Sequence, residues 1–157
     1  MVTKRLEFIR KLIAERGNET EHYGVHEYVQ KGKECVIQTG VTIGLDGFGY
    51  ELNEKNQYEQ FPHYGIVVLG DRVHILAPTV VCRGNVNDTV IGNDTKIAGN
   101  CQIGHNAHIG KSCLIGPFTC VGGSAVLGNN VRTGQFVYIA HGVTIGEKVD
   151  VSSFTYV

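Results

Sequence analysis

The sequence predicts an all-β fold, a left-handed parallel β-helix, from three regularities in its 157 residues. From Ile91 onward every sixth residue is aliphatic, and Thr133 is the exception. A small residue, mostly glycine, follows each of these positions, and a second small or β-branched residue stands four places after each. An α-helix repeats every 3.6 residues or so and a strand every two, so neither sustains a period of six. The repeating positions are Ile91, Ile97, Ile103, Ile109, Ile115, Val121, Leu127, Thr133, Ile139, Ile145, Val151 and Val157.

Each hexad is expected to form one short strand and one turn, so that three hexads make a triangular coil of about 18 residues. The aliphatic side chain points inward and stacks on its equivalents in neighbouring coils. Glycine follows it where the backbone turns the corner. The left hand comes from the known behaviour of such repeats and not from the spacing. Because flat-sided prisms of this kind associate side by side, we expect a homotrimer.

The hexad pattern extends towards the N-terminus with two interruptions. Leu69, Ile75 and Val81 keep the step of six before "RGNVNDTV" shifts the phase, and Ile37 and Ile43 form an earlier pair. The stretch between these two groups is too long to be a turn. We therefore expect a loop insertion at about residues 45–68, and loops of this length are usually functional or ordered by a partner.

Residues 1–32 are expected to form a helical cap and lead-in, and residues 33–157 the β-helix. The helix is predicted to end at Gly17 and to cap the first coil. Its apolar face is interpreted as packing against that coil. Four apolar residues at helical spacing carry this prediction: Leu6, Ile9, Leu12 and Ile13.

Composition and charge exclude several classes of function. The net charge of −1 gives no electrostatic reason to bind nucleic acid or an anionic membrane. No long uncharged apolar run occurs near the N-terminus, so we expect neither a signal peptide nor membrane insertion. The five cysteines are an odd number without a C-x-x-C pair, which favours free thiols in the cytoplasm over a disulfide framework.

Two histidines stand out within the hexads. His105 and His141 each follow an aliphatic position by two residues and lie 36 residues apart, which is two coils. They should therefore share one edge of the prism, roughly 10 Å apart at about 4.8 Å per coil. Three interpretations are open: a zinc site, general base catalysis by one histidine, or an inert scaffold with solvent-facing histidines. His108 is interpreted as a surface residue.

Four stretches resemble one enzyme family in particular: "VTIGLDGFGY", "FPHYGIVVLGDRVHI", "CRGNVNDTVIGNDTKI" and "CQIGHNAHIG". In this order they resemble the bacterial UDP-3-O-acylglucosamine N-acyltransferases of lipid A biosynthesis. The D-G-F-G-[FY] and R-G-x-x-[DN]-D-T-x-I-G elements are more specific than a bare hexad repeat. The resemblance covers about residues 36–157 and is weak in the last 35. Small sugar N-acetyltransferases of the same fold also carry I-x-H-[DN]-x-x-I-G and use acetyl-CoA.

The resemblance implies an active site. The family's catalytic base falls on His105, and its oxyanion donor, a backbone N–H, falls on Gly123, one coil later. His105 would take a proton from an amine as its nitrogen attacks an acyl thioester, carried by acyl-CoA or acyl carrier protein. The acceptor would be a nucleotide-linked amino sugar. The family's second histidine falls on Gly142, so its neighbour His141 is carried over as a substrate contact.

The family's orienting Asp-Asn pair falls on Ala98 and Gly99, and we expect Asn100 to substitute in part. Asp46, Phe48 and Tyr50 in the insertion are expected to line the groove for the acceptor or the pantetheine arm. Packing of these aromatic residues against the prism is the alternative. The family's uridine-gripping domain and carrier-recruiting helices have no counterpart here, so the chain is expected to correspond to the β-helix core.

Carbonic anhydrases of this fold also carry a histidine pair at the same two-coil spacing. Their third zinc ligand falls on Gly146, so no metal is expected. The sequence thus leaves an acyltransferase as the leading interpretation. A non-catalytic trimeric scaffold and, less favoured, a zinc hydratase are the alternatives.

Overall fold

A computed structural model describes residues 28–157 of the chain. The predicted N-terminal helix lies outside the described residues. These residues form 19 short strands, two of which make an antiparallel hairpin. The strands are β1 Val29–Lys31, β2 Val36–Ile37, β3 Thr42–Leu45, β4 Tyr50–Leu52, β5 Tyr58–Gln60, β6 Val67–Leu69, β7 His74–Ile75, β8 Val80–Cys82, β9 Thr89–Ile91, β10 Lys96–Ile97, β11 Gln102–Ile103, β12 His108–Ile109, β13 Leu114–Ile115, β14 Cys120–Val121, β15 Val126–Leu127, β16 Arg132–Thr133, β17 Tyr138–Ile139, β18 Thr144–Ile145 and β19 Asp150–Val151.

Three parallel sheets make the sides of the coil, which confirms the predicted all-β parallel β-helix. Sheet I has the order β1-β6-β9-β12-β15-β18, sheet II the order β19-β16-β13-β10-β7-β2, and sheet III the order β17-β14-β11-β8-β3. Successive strands of the chain therefore visit sheets III, I and II in turn. Ile103 pairs with Val121, which stands three hexads further along the chain, as the repeat predicts.

The two interruptions of the pattern appear as longer steps between paired strands. Val67 pairs with Thr89, a step longer than three hexads, because the segment around "RGNVND" adds a loop before β9. Thr42 pairs with Val80, a step longer still, because the chain leaves the coil between β3 and β6. This excursion contains β4 and β5, which pair antiparallel as a hairpin.

The core is a column of aliphatic side chains inside the coil. The inward residues of sheet III are fully buried and stack on one another from coil to coil. Burial of each such side chain contributes about 1.5–3 kcal/mol, which is how such short strands persist. They are Ile43, Val81, Ile103, Val121 and Ile139.

The glycine after each aliphatic residue has a different role from the one predicted. Gly92 and Gly116 do not have positive φ angles, so they are not needed for the turn itself. Instead, a Cβ on Gly92 would lie 2.7 Å from the carbonyl carbon of Gly110 in the next coil. The left-handed residue comes two places later, as at Asp94 and Phe118. The close approach of successive coils therefore favours glycine at this position.

The single break in the aliphatic column is compensated by hydrogen bonds. Thr133 is 8% exposed, and its Oγ1 accepts a hydrogen bond from the Gly116 N–H at 2.8 Å. Thr119 Oγ1 lies 3.2 Å from the same oxygen. A buried hydroxyl is tolerated at this position because polar groups meet it inside the coil.

All five cysteines are free thiols. The Cys101 Sγ–H donates to the carbonyl oxygen of Gly116 at 3.2 Å, and that of Cys113 to Gly128 at 3.2 Å. Burial raises the pKa of both thiols above the ordinary value. They act as packing and hydrogen-bonding residues rather than as nucleophiles.

Residues 28–157 contain no helix with the length and apolar character that a membrane crossing requires.

Candidate active site

One corner of the prism, between sheets III and I, carries the histidines. His105 lies between β11 and β12, and Gly123 and His141 occupy the same place in the next two coils. The His105 and His141 ring centroids are 6.0 Å apart, closer than the roughly 10 Å expected for two coils. The rings approach because the residue between them at this corner is a glycine. The geometry predicted from the two-coil spacing thus places both histidines at one corner.

The His105 imidazole is held between two glycines. A Cβ on Gly123 would lie 2.7 Å from His105 Nε2. On the other side, a Cβ on Gly47 would lie 3.1 Å from His105 Cδ2. Gly47 belongs to the D-G-F-G element and Gly123 to the following coil, so two separate sequence motifs form the slot that holds this ring. Their lack of side chains is what makes room for it.

His105 is half-buried, and its surroundings keep it neutral. Burial is the main cause that lowers the pKa of His105, and the nearby His141 and His63 lower it further. Its Nδ1 lies 3.2 Å from Nδ2 of Asn106, the adjacent residue. A neutral imidazole is the form that can accept a proton from a substrate.

His63 supports the slot and is fully engaged by the backbone. Its Nε2 accepts a hydrogen bond from the Gly47 N–H at 2.9 Å, and its Nδ1 lies 2.8 Å from the Phe61 carbonyl oxygen. Nδ1 must therefore carry the proton, and neither nitrogen remains for a substrate or a metal. Its ring stands edge-on to His105, with centroids 6.4 Å apart. His63 fixes the D-G-F-G loop against His105.

The buried side chain of Arg83 connects the beginning and the end of the excursion. The guanidinium is buried, and it donates to the carbonyl oxygens of Gly65 at 2.8 Å and His63 at 2.6 Å. Its Nη1 lies 3.7 Å from Asp46 Oδ1, and its central carbon lies 3.6 Å from the centre of the Tyr28 ring. The fork geometry of arginine lets one side chain hold both ends of the excursion.

The Gly123 N–H is unused within the described part of the chain. At equivalent corner positions a side chain of the next coil accepts this bond, as Asn129 Oδ1 does for the Lys111 N–H at 2.8 Å. Ser153 Oγ does the same for Gln135 at 3.0 Å. No acceptor meets the Gly123 N–H among residues 28–157. A free N–H beside a neutral imidazole is suited to stabilising a developing oxyanion.

A cavity of about 860 Å³ opens beside the histidines. Four of its eight lining residues are aromatic residues of the excursion, and no lysine, arginine or carboxylate of the described chain contributes to it. The predicted Phe48 and Tyr50 both belong to this wall, and their rings are 5.2 Å apart. The lining residues are Phe48, Gly49, Tyr50, Tyr58, Phe61, Asn85, His105 and His141.

Two predicted site residues lie away from this cavity. Asp46 faces Arg83 and His63, and it does not line the cavity wall. Asn100 lies at the corner between sheets II and III, where its N–H donates to the Pro78 carbonyl oxygen at 2.6 Å. Within one chain it makes no hydrogen bond to the His105 ring. The reason is topological, because nearly one full hexad separates the two residues and leads to the next corner.

His108 projects from the face of sheet I, where it is exposed and pairs with Val90 and Val126. It takes no part in the cavity wall. Within residues 28–157, no group of three histidine, cysteine or acidic side chains is arranged to hold a metal ion.

Several supporting residues were not singled out from the sequence. His63, Arg83, Asn85 and Asn106 all lie within motifs that the sequence displays, in "FPHYG", "CRGNVND" and "GHNAHIG". Their roles depend on contacts between segments that are distant along the chain, which no hexad register predicts. The unusual combination of an arginine and two asparagines beside the phase shift was the available signal.

Comparison with known proteins agrees with this architecture. Residues 88–123 and 124–157 match the family described as bacterial transferase hexapeptide (six repeats). The predicted resemblance to hexapeptide-repeat acyltransferases is confirmed.

Two curated relatives carry the name of the family predicted from the motifs. The UDP-3-O-acylglucosamine N-acyltransferase of Pseudoalteromonas translucida (strain TAC 125) is 45% identical over 60 residues, 38% of this chain and 17% of that protein. The enzyme of the same name from Ectopseudomonas mendocina (strain ymp) is 48% identical over 65 residues, 41% of this chain and 18% of that protein. The matched segment therefore spans less than a fifth of either relative.

Among solved structures, an Arabidopsis UDP-N-acetylglucosamine acyltransferase superposes with a TM-score of 0.50 at 20% identity. The superposition covers 84% of this chain and 62% of that one. At this identity the likeness establishes the shared fold.

Proposed function

We propose that this chain is an acyltransferase that moves an acyl group from a thioester donor to the amine of a nucleotide-linked amino sugar. The donor is acyl-CoA or acyl carrier protein, and no cofactor stays bound. His105 is the general base and the Gly123 N–H the oxyanion donor. The curated relatives named above support the reaction class, and the local geometry supports the residues.

The observation that carries the proposal is the slot around His105. A neutral imidazole, a backbone N–H without an acceptor in the described chain and a cavity meet at one corner of the prism. A structural histidine would need none of these neighbours. The two glycines that flank the ring keep its Nε2 edge beside Gly123.

The chemistry follows from this arrangement. The amine nitrogen attacks the thioester carbonyl carbon, and His105 takes the proton that the amine loses. The Gly123 N–H donates to the carbonyl oxygen as it gains negative charge. The carbon–sulfur bond then breaks, and the imidazolium returns the proton to the leaving thiolate. The base contributes about 10²–10⁴-fold to such a reaction, and one oxyanion donor about 10²–10³-fold.

The aromatic wall of the cavity is proposed to receive the substrates. Phe48 and Tyr50 offer apolar ring faces next to His105 and His141, suited to a sugar ring or to the pantetheine arm. His141 is exposed at the rim and is proposed to contact the acceptor. A groove between neighbouring subunits of a homotrimer would complete the site. The free thiols fit a cytoplasmic location.

The test is thiol release from acetyl-CoA and from a longer acyl donor, with a panel of UDP- and dTDP-linked amino sugars. We expect acceptor-dependent release that falls about a hundredfold or more in His105→Ala. His108→Ala is the matched control, because that histidine lies on an outer face, and it should leave the rate unchanged.

Two outcomes would contradict the proposal. Equal release from the wild type and from His105→Ala would show that His105 is not the base. No acceptor-dependent release with any donor, from a folded trimer, would favour the non-catalytic scaffold instead.

A further inference from the structure

The amide of Asn106 is fixed in one orientation by its contacts. Its Oδ1 accepts a hydrogen bond from the backbone N–H of Asn85 at 3.0 Å, and only an oxygen can do so. Its Nδ2 donates to Asn85 Oδ1 at 2.5 Å. That oxygen is itself identified because it accepts from the Val86 N–H at 2.6 Å. Backbone donors thus set both amide groups, which leaves no freedom to exchange nitrogen and oxygen.

The second hydrogen of the Asn106 amide is then directed at His105. Nδ2 lies 3.2 Å from His105 Nδ1, and an amide nitrogen can only donate. Nδ1 must therefore offer its lone pair. In the neutral imidazole the proton is then on Nε2, the nitrogen beside Gly123. No other side chain among residues 28–157 forms a hydrogen bond with this ring, so nothing counters this preference.

We propose that Asn106 is a positioning residue that holds His105 in the Nε2–H tautomer. In its resting state the ring then presents a hydrogen-bond donor to the cavity, and the lone pair that a base needs lies against Asn106. His105 gains a lone pair on Nε2 only when its proton moves to Nδ1, which breaks the contact with Asn106. The catalytic consequence rests on the proposed function, whereas the tautomer does not.

An acidic residue in place of Asn106 would reverse this preference. A carboxylate accepts from Nδ1–H, places the lone pair on Nε2 and stabilises the imidazolium that forms during proton transfer. In serine proteases, replacing such a carboxylate with asparagine lowers kcat by about 10⁴-fold through the wrong tautomer. In this chain the asparagine Asn106 stands beside Nδ1 of His105, where the serine proteases have the carboxylate. Of the other titratable groups facing the ring, His63 is engaged by the backbone and His141 forms no hydrogen bond with it.

The test is the tautomer itself, read from long-range ¹H–¹⁵N correlation spectra of the ¹⁵N-labelled full chain at neutral pH. His105→Gln identifies the resonances of this ring. We expect the proton on Nε2 in the wild type and on Nδ1 in Asn106→Asp. Asn106→Leu, close in shape but unable to donate, should give a mixture. His108→Gln is the control that leaves the His105 signals in place.

The spectra distinguish between the two tautomers of His105. A wild-type spectrum with the proton on Nδ1, or an Asn106→Asp spectrum in which it stays on Nε2, overturns the proposal. Asn106→Asp changes a hydrogen bond with Asn85 and could fail to fold for that reason. In that case the spectra of the wild type and of Asn106→Leu still test the proposal. In the thiol-release assay we expect Asn106→Asp to be about tenfold faster or more. A changed tautomer without a faster rate supports the role of Asn106 and counts against His105 as the base.

Discussion

Replacing Gly123 with alanine tests the slot around His105 with a single methyl group. The new Cβ would lie 2.7 Å from His105 Nε2, 2.9 Å from Cε1 and 3.1 Å from Cδ2. Ordinary van der Waals contact begins at 3.4 Å. The imidazole must therefore move by several tenths of an ångström, and Gly47 on its opposite side limits the direction in which it can go.

We expect Gly123→Ala to lower the reaction rate and to leave the stability of the fold nearly unchanged. A misplacement of about 1 Å in a reacting group costs about 10²-fold in rate, so we expect kcat/KM to fall about 10- to 100-fold. Gly123 does not have a positive φ, so alanine meets no backbone strain there. The backbone N–H also remains. The free energy of unfolding should change by no more than about 1 kcal/mol, since lost chain entropy offsets the crowding.

The assay is thiol release together with a thermal melt. Gly146→Ala is the matched control, because a Cβ there meets nothing within 4 Å. Its thiol release should match the wild type, and its melting temperature should rise slightly through lost chain entropy. In a His105→Ala background, Gly123→Ala should raise the melting temperature, since the ring that the new methyl group crowds is gone and only the gain from lost chain entropy remains. Full activity in Gly123→Ala, with an intact fold, would refute a fixed imidazole at this place.

The remaining predictions concern protonation of His105 and the hydrogen bonding of buried groups. Because burial, His141 and His63 lower the pKa of His105, the acid limb of kcat/KM should fall below pH 6.5, and His141→Gln should move it upward. The same shift means that the unfolded chain takes up this proton first, so stability contributed by neutral His105 is lost as pH falls from about 6.5. Arg83→Leu leaves the buried carbonyl groups of Gly65 and His63 unpaired and should cost about 2–6 kcal/mol in a denaturant titration. Thr89→Val should stabilise the chain by about 1 kcal/mol, and Thr133→Val should destabilise it by about 1–3 kcal/mol.

Each of these has its own control. His108→Gln changes an exposed histidine on the outer face and should leave the pH profile unchanged; an equal shift in both variants would remove the role of His141. Arg83→Lys should recover only part of the stability, because lysine lacks the fork. The two threonine variants control each other, since Thr89 Oγ1 is buried without a hydrogen-bond partner among the described residues while Thr133 Oγ1 accepts from Gly116. Equal effects at both positions would contradict this reasoning.

Counting along hexads accounts for only part of the geometry of the site. Counting along hexads correctly places Gly123 over His105, because every coil has the same length there. The same counting puts Asn100 at another corner, and it says nothing about Asp46, which lies beside Arg83 outside the regular hexads. Aromatic residues of the excursion were assigned to a groove by their composition, and the cavity wall does contain Phe48 and Tyr50.

The sequence alone determined the β-helix, since a period of six admits one solution in which each aliphatic residue is buried and each coil closes after three hexads. It also determined which corner holds His105, Gly123 and His141, because a regular coil converts spacing into position. Only the tertiary structure decided how the excursion folds back, how His63 and Arg83 fix Gly47 against the imidazole, and which nitrogen Asn106 engages. Those contacts join segments that leave the repeat, and their hydrogen-bond geometry depends on side-chain orientation that no periodic pattern encodes.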